Sequence, residues 1–297
     1  MSRLYEALQR ADLERKAIPI SEDDTVVDSA VLPAVEEPPP ARSNEPLDDI
    51  KRFPWSPSAA SFPTLAERGE GVEQFRSLRS RIYQARYEAP MKTILISSGM
   101  PSEGKSFIAA NLAMNLARNT VNNILLIDGD LRRPTLHKLL GAPSGPGLSE
   151  FLQSKAELKD ILQRDSTPRT VEAATVGSIA NLTFIPAGKC GDNSSELVAN
   201  HRIEKLIEAV SPYFDWILID SPPVLAVTDA VELSRASDAV LLIARGAKTP
   251  YDIAQRTQTT FNKSRILGFV LNDVKDAPRS RSYYYYYGAQ EASIRAK

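Results

Sequence analysis

Eight residues from Gly99 to Ser106, "GMPSEGKS", follow the spacing G-x-x-x-x-G-K-[ST]. That spacing suits the holding of a chain of phosphates. The glycines let backbone N–H groups curl around an anion, and a helix starting at the end of the motif adds its positive end. Lys105 is placed to reach the β- and γ-phosphates, and the Ser106 hydroxyl to ligate Mg²⁺. The phosphate-binding stretch is read as Gly99, Met100, Pro101, Ser102, Glu103, Gly104, Lys105, Ser106 and Phe107. Three carboxylates accompany it. "ILLIDGDLRRP" closes on Asp128 and Asp130, and "WILIDSPP" on Asp220. Asp220 reads as an aspartate that holds Mg²⁺ directly or through water. Asp128 and Asp130, spaced i and i+2, divide two further tasks between them: one ligates metal and one accepts a proton. The chemistry is use of a nucleoside triphosphate with Mg²⁺. These residues alone leave open whether the phosphoryl acceptor is water or a side chain.

The acids serve that site only if the fold brings them to one edge. From Lys92 onward, apolar β-rich runs alternate with helical patterns. Strands are predicted at "KTILISS", "NILLID", "NLTFIPA", "DWILIDSPPV", "DAVLLIA" and "ILGFVLNDV". Helices are predicted at "SFIAANLAMNLARN", "SSELVANHRIEKLIEAV", "TDAVELSRA" and "YDIAQRTQTTFN". Near-continuous apolar strands separated by helices imply a parallel sheet covered on both faces. The expected class is α/β, a P-loop NTPase with a doubly wound, mostly parallel sheet of about six core strands. In such a sheet the strand ends Ser98, Asp128 and Asp220 share the carboxyl edge, where ligands bind.

Bulk properties narrow the rest. The 297 residues carry 36 Lys and Arg against 37 Asp and Glu, a net charge of −1, so no basic field invites nucleic acid. One cysteine and two histidines argue against a dedicated zinc site. The sequence shows no signal peptide and no apolar run of membrane-spanning length, which gives a cytoplasmic expectation. Four regions are read: a short helix over 1–17, an acidic proline-rich linker over 18–63, a P-loop domain over 64–275, and a tail over 276–297. Ahead of the first strand, "EGVEQFRSLRSRIYQARYE" predicts a helix with Phe75, Leu78, Ile82 and Ala85 on one face and Glu73, Arg76 and Arg79 beside it. The tail holds Tyr283, Tyr284, Tyr285, Tyr286 and Tyr287, half of the ten tyrosines. Five identical residues fit neither a strand nor a helix period. Fully extended, the ten residues before Tyr283 span about 33–36 Å, enough to present a tyrosine to the phosphate edge.

These stretches resemble the bacterial tyrosine kinases, autokinases attached to capsule and exopolysaccharide assembly. "SGMPSEGKS" is similar to their phosphate loop, "LLIDGDLRRP" to their second acidic motif and "ILIDSPPV" to their Walker B strand. "IPAGKCGDNSSELV" is similar to a family segment that usually has proline where Ser194 stands. "EQFRSLR" matches the family pattern E-x-x-R-x-x-R at Glu73, Arg76 and Arg79, which the resemblance makes a ring-forming contact. The resemblance makes Tyr283 to Tyr287 the phosphoacceptors. It implies a split kinase recruited to the inner face of the membrane by a separate chain-length-control activator, and a cognate tyrosine phosphatase. The opening "MSRLYEALQRA" is similar to autokinases of exosortase-linked loci. Similarity to related nucleotide-binding folds places Asn272 near the adenine. Two alternatives remain: a partition- or septum-type switch ATPase, whose loop carries lysine where this chain has Met100, and a catalytically silent nucleotide-binding adaptor.

Overall fold

A computed structural model describes residues 49–58, 60–65, 69–118, 121–167, 179–189 and 194–274. The expected helix over 1–17, most of the linker, and the tail with Tyr283 to Tyr287 lie outside the described residues. In chain order the elements are β1 (Lys51–Phe53), α1 (Glu70–Glu88), β2 (Thr93–Ser98), α2 (Lys105–Ala117), β3 (Ile124–Asp128), α3 (Leu136–Leu140), α4 (Leu148–Leu152), α5 (Leu158–Ile161), β4 (Gln163–Asp165), β5 (Leu182–Ile185), α6 (Ser194–Val198), α7 (Arg202–Val210), β6 (Trp216–Asp220), α8 (Asp229–Arg235), β7 (Ala239–Arg245), α9 (Tyr251–Thr260) and β8 (Ile266–Asn272). The strands form one sheet in the order β1-β4-β5-β3-β6-β2-β7-β8. All pairings are parallel except β4 with β5.

Period two within each strand sorts the core into two layers. Ile94, Ile96, Ile124, Leu126 and Leu218 face Phe75 and Ile82 of α1 and Ile108, Leu112 and Leu116 of α2. Leu95, Leu125, Ile127, Ile217 and Ile219 face Ile203 and Leu206 of α7 and Leu233 of α8. Helix α2 is apolar nearly all round because it lies between the sheet and α1, and Ala109, Ala110 and Ala113 are fully buried along it. Helix α7 buries Ile203, Leu206, Ile207 and Val210, the i, i+3, i+4, i+7 stripe of a one-sided helix. Among the described residues no helix is long and apolar enough to cross a membrane.

The six expected strands are present. The single helix expected over 194–210 is two, because Asn200 Oδ1 accepts the Arg202 N–H at 3.1 Å and His201 takes a left-handed φ of 57°. An asparagine side chain that captures a nearby N–H breaks a helix and caps the next one.

The last residues of the stretch expected to be a linker up to residue 63 are packed on the domain as a strap. Residues 50–58 and 60–65 form this strap. Ile50 is buried, and β1 pairs with β4 through Lys51↔Gln163. Trp55, 3% exposed, meets Phe184 edge-on with ring centroids 6.1 Å apart, and Phe62 is buried against the sheet-facing core. The Trp55 N–H is shared between Asp165 Oδ1 at 3.1 Å and Thr167 Oγ1 at 3.0 Å. Isolated anchors separated by serines and prolines carry no period, so the sequence pattern hides them. Trp55→Ala is expected to cost about 3–5 kcal/mol of unfolding free energy, read as a lowered midpoint in urea.

Candidate active site

The loop after β2 turns back on itself through two left-handed residues, Ser102 (φ 62°) and Gly104 (φ 95°), and delivers Lys105 to the first turn of α2. Gly104 is the position where a side chain is excluded: a Cβ there would run into the Asn272 amide. The first N–H groups of α2 have no partner inside the helix and face outward at its start. The loop opens on a cleft of about 830 Å³ lined by Pro101, Ser102, Gly104, Lys105, Ser106 and Phe107. Asp130, Arg133, Thr135 and Lys138 form a second wall, and Ser56, Ser58 and Ser61 of the strap a third.

Under the cleft lie the other two acids. Asp128 and Asp220 sit directly opposite each other at the ends of β3 and β6, both fully buried. Asp128 Oδ2 accepts the N–H groups of Thr135 at 3.2 Å and Leu136 at 3.1 Å, while its Oδ1 has no hydrogen bond. Neither oxygen of Asp220 has one of full geometry. Burial pushes the Asp220 carboxyl up to about 7, against the pull of the Lys105 ammonium and the nearby Ser106 hydroxyl. Burial and then the charge of Asp220 drive Asp128 well above the usual carboxylate range. Burial raises Asp130 too, opposed by the Arg133 N–H, which it accepts at 2.9 Å, and by Lys105.

Three buried carboxylate oxygens without hydrogen bonds, next to the Ser106 hydroxyl, fit a hard divalent cation. Among the described residues no three His, Cys, Asp or Glu side chains form a closed metal cage. Two acids and a hydroxyl are the sparse protein shell that Mg²⁺ takes when phosphates and water supply its other ligands.

The residues expected at the site divide. Lys105, Ser106, Pro101, Ser102, Gly104, Phe107 and Asp130 reach the cleft, with Asp128 and Asp220 beneath it. Gly99, Met100, Glu103 and Asn272 are not on its walls. The Met100 N–H is taken by Glu103, its side chain is 42% exposed, and the Asn272 amide donates to the Glu103 carbonyl at 3.0 Å. Glu73 and Arg76 pair with each other at 2.5 Å on the exposed side of α1. Arg79 donates to the Asn115 carbonyl at 3.0 Å and so braces α1 to α2. Arg132 is tied to Asp229 at 3.1 Å, and Ser195 donates to the same carboxylate at 2.8 Å.

Sequence reasoning missed the strap serines, Lys138 and Thr135. Thr135 is the most connected of these: its hydroxyl donates to Ser106 Oγ at 2.8 Å while its N–H holds Asp128. It fixes the expected metal hydroxyl and the expected metal carboxylate together. Thr135→Val is expected to raise the Mg²⁺ concentration needed for half-maximal nucleotide turnover several-fold, with thermal stability little changed. A magnesium titration of turnover checks it.

No model of a known protein family matches the chain. Tyrosine-protein kinase ptk of Acinetobacter johnsonii is 36% identical over 220 residues, 72% of this chain and 28% of that protein. The putative tyrosine-protein kinase CapB of Staphylococcus aureus is 31% identical over 218 residues, 73% of this chain and 90% of CapB. The chain belongs to the bacterial tyrosine-protein kinases. The match thus spans little more than a quarter of the Acinetobacter kinase and nearly all of CapB. Among solved kinases of the family, the kinase domain of Escherichia coli ETK superposes with a TM-score of 0.62 at 31% identity, covering 71% of this chain and 79% of that domain. The expected P-loop α/β class and the tyrosine-kinase resemblance both stand.

Proposed function

We propose that the chain is an ATP-dependent protein-tyrosine autokinase that phosphorylates its C-terminal cluster, Tyr283 to Tyr287, and so regulates assembly and export of an exopolysaccharide or capsule. The observation that carries this reading is the convergence at one sheet edge. The phosphate loop follows β2, Asp128 and Asp220 end β3 and β6, and the strand that leads to the tyrosines, β8, ends at Asn272 on the same edge.

In this reading the loop and the start of α2 bind the triphosphate, and Lys105 places its charge on the transferring group. Ser106, Asp128 and Asp220 hold Mg²⁺, which when bound neutralises charge on the phosphates. Asp130, the acid on the cleft wall, accepts the tyrosine proton. A tyrosine hydroxyl has a pKa near 10 and must lose its proton as transfer proceeds. The tyrosine oxygen forms the new P–O bond, the γ-phosphorus releases the β–γ bridging oxygen, and ADP leaves. The exposed Glu73 and Arg76 and the braced Arg79 supply a self-association face. Family membership supports a membrane activator that recruits the kinase and a phosphatase that resets it. Phosphates on adjacent tyrosines, each carrying about −1.5 to −2 charges, repel one another and the acidic site, so a modified tail leaves the cleft.

The test is incubation with ATP and Mg²⁺ followed by mass mapping of phosphate, alone and with the cytoplasmic segment of the cognate activator. Phosphate on Tyr283 to Tyr287, absent when all five are phenylalanine, is the expected result. Steady ATP hydrolysis with no tyrosine phosphate, even with activator, would give the site to a switch ATPase.

A further inference from the structure

The side chain of Glu103 belongs to the phosphate loop yet turns away from the cleft. It is 4% exposed, and among the described residues no lysine or arginine forms an ion pair with it. Its Oε2 accepts the Met100 N–H at 2.7 Å, closing the loop on itself. Its Oε1 accepts the hydroxyl of Thr249, a buried residue of the turn after β7. Its carbonyl accepts the Asn272 amide. The Thr249 hydroxyl also accepts the Arg245 N–H at 2.8 Å, Arg245 pairs with Asp273 at 2.7 Å, and the Gly246 N–H donates to the Asn272 carbonyl at 2.7 Å. One residue therefore fastens the loop to the ends of both β7 and β8.

The loop needs a fastener. Glu103 stands between Ser102 and Gly104, the two left-handed positions. A non-glycine residue in that conformation persists only where its surroundings over-determine it. Hydrogen bonds to a carboxylate are stronger than those to neutral groups and suit that task.

We propose that Glu103 is the positioning residue of the phosphate loop: with Thr249, it holds the loop in its nucleotide-accepting shape before nucleotide arrives. The proposal rests on the reading of the cleft as a nucleotide site, and it assigns Glu103 a role through Met100 and the loop backbone rather than through contact with the nucleotide.

The experiment compares the full-length wild type with Glu103→Ala, Glu103→Gln, Thr249→Val, Thr249→Ser and the Glu103→Ala/Thr249→Val pair. The dissociation constant for Mg·ATP is measured beside the melting temperature without nucleotide. Glu103→Ala and Thr249→Val are each expected to weaken binding roughly 10-fold or more. The double variant should be no weaker than Glu103→Ala alone, since both remove the same link. Thr249→Ser, which keeps the hydroxyl, should bind like wild type, and Glu103→Gln should fall between. A lowered melting temperature with binding within twofold of wild type overturns the proposal, as do fully multiplicative effects in the double variant. Should Glu103→Ala fail to fold, the contrast between Thr249→Val and Thr249→Ser decides. A wild type that does not bind Mg·ATP refutes instead the nucleotide-site reading.

Discussion

Lys105→Met is expected to leave a folded protein whose phosphate transfer to tyrosine falls by roughly 10²–10³-fold or more. Lys105 is 7% exposed at the first residue of α2, beside both Asp130 and Asp220, and its charge works against the rise in both their pKa values. Methionine keeps the length and the apolar stem, so α2 and its packing survive. What goes is the ammonium that the proposed reading directs at the transferring phosphoryl group, and a preorganised charge of that kind is worth that much. Quantified phosphotyrosine against time at saturating ATP gives the ratio. A variant that retained a tenth of wild-type transfer would mean that the reaction occurs elsewhere.

Asp220→Asn is expected to move stability and activity in opposite directions. The folded carboxyl titrates near 7 because it is buried, whereas an unfolded aspartate titrates near ~3.9. The folded state thus keeps a proton that the unfolded chain has already released. Without metal, the protonated carboxyl contributes its full stability below about pH 4 and loses it as pH rises through about 7, a difference on the order of 4 kcal/mol. Asparagine has the same shape and no charge to bury. At pH 8 without Mg²⁺ or nucleotide, the variant should melt roughly 5 °C or more above wild type, and the gap should shrink at pH 5. Mg·ATP should then stabilise wild type more than the variant, and tyrosine phosphorylation should be lost. Equal melting temperatures at pH 8, or a gap indifferent to pH, would show that the buried carboxylate pair carries no such strain. A functional carboxylate held at the expense of stability is a common trade at active sites.

The buried parts of this fold were readable from the sequence because they repeat. Six parallel strands announce themselves as unbroken apolar runs, and the phosphate loop has a fixed spacing between a strand and a helix. Asp128 and Asp220 are strand-terminal, so the topology alone brings them to one edge. The strap was not readable, since Trp55 and Phe62 are single anchors among prolines and serines and β1 has three residues. Thr135 carries no signal at all: its importance lies in a hydroxyl that meets Ser106 across 29 positions of sequence. The loop motif names Met100 and Glu103 but not their directions. A spacing pattern records which residues the backbone tolerates, and it does not say that one of them turns inward to bind the loop itself.

The strap also sets the order in which the site is completed. Its anchoring bonds join residues 110 and 112 positions apart, Trp55 with Asp165 and with Thr167. Contacts that close loops of this length form late, after local helices and neighbouring strands have repaid their entropy. A chain still emerging from the ribosome at residue 160 already contains the phosphate loop and Asp128, yet β4 and β5 are not there to seat Trp55. The third wall of the cleft therefore waits for β4 and β5, as the Glu103 fastener, 146 and 169 positions from Thr249 and Asn272, waits for β7 and β8. On that order the cleft takes its full shape only in the finished domain.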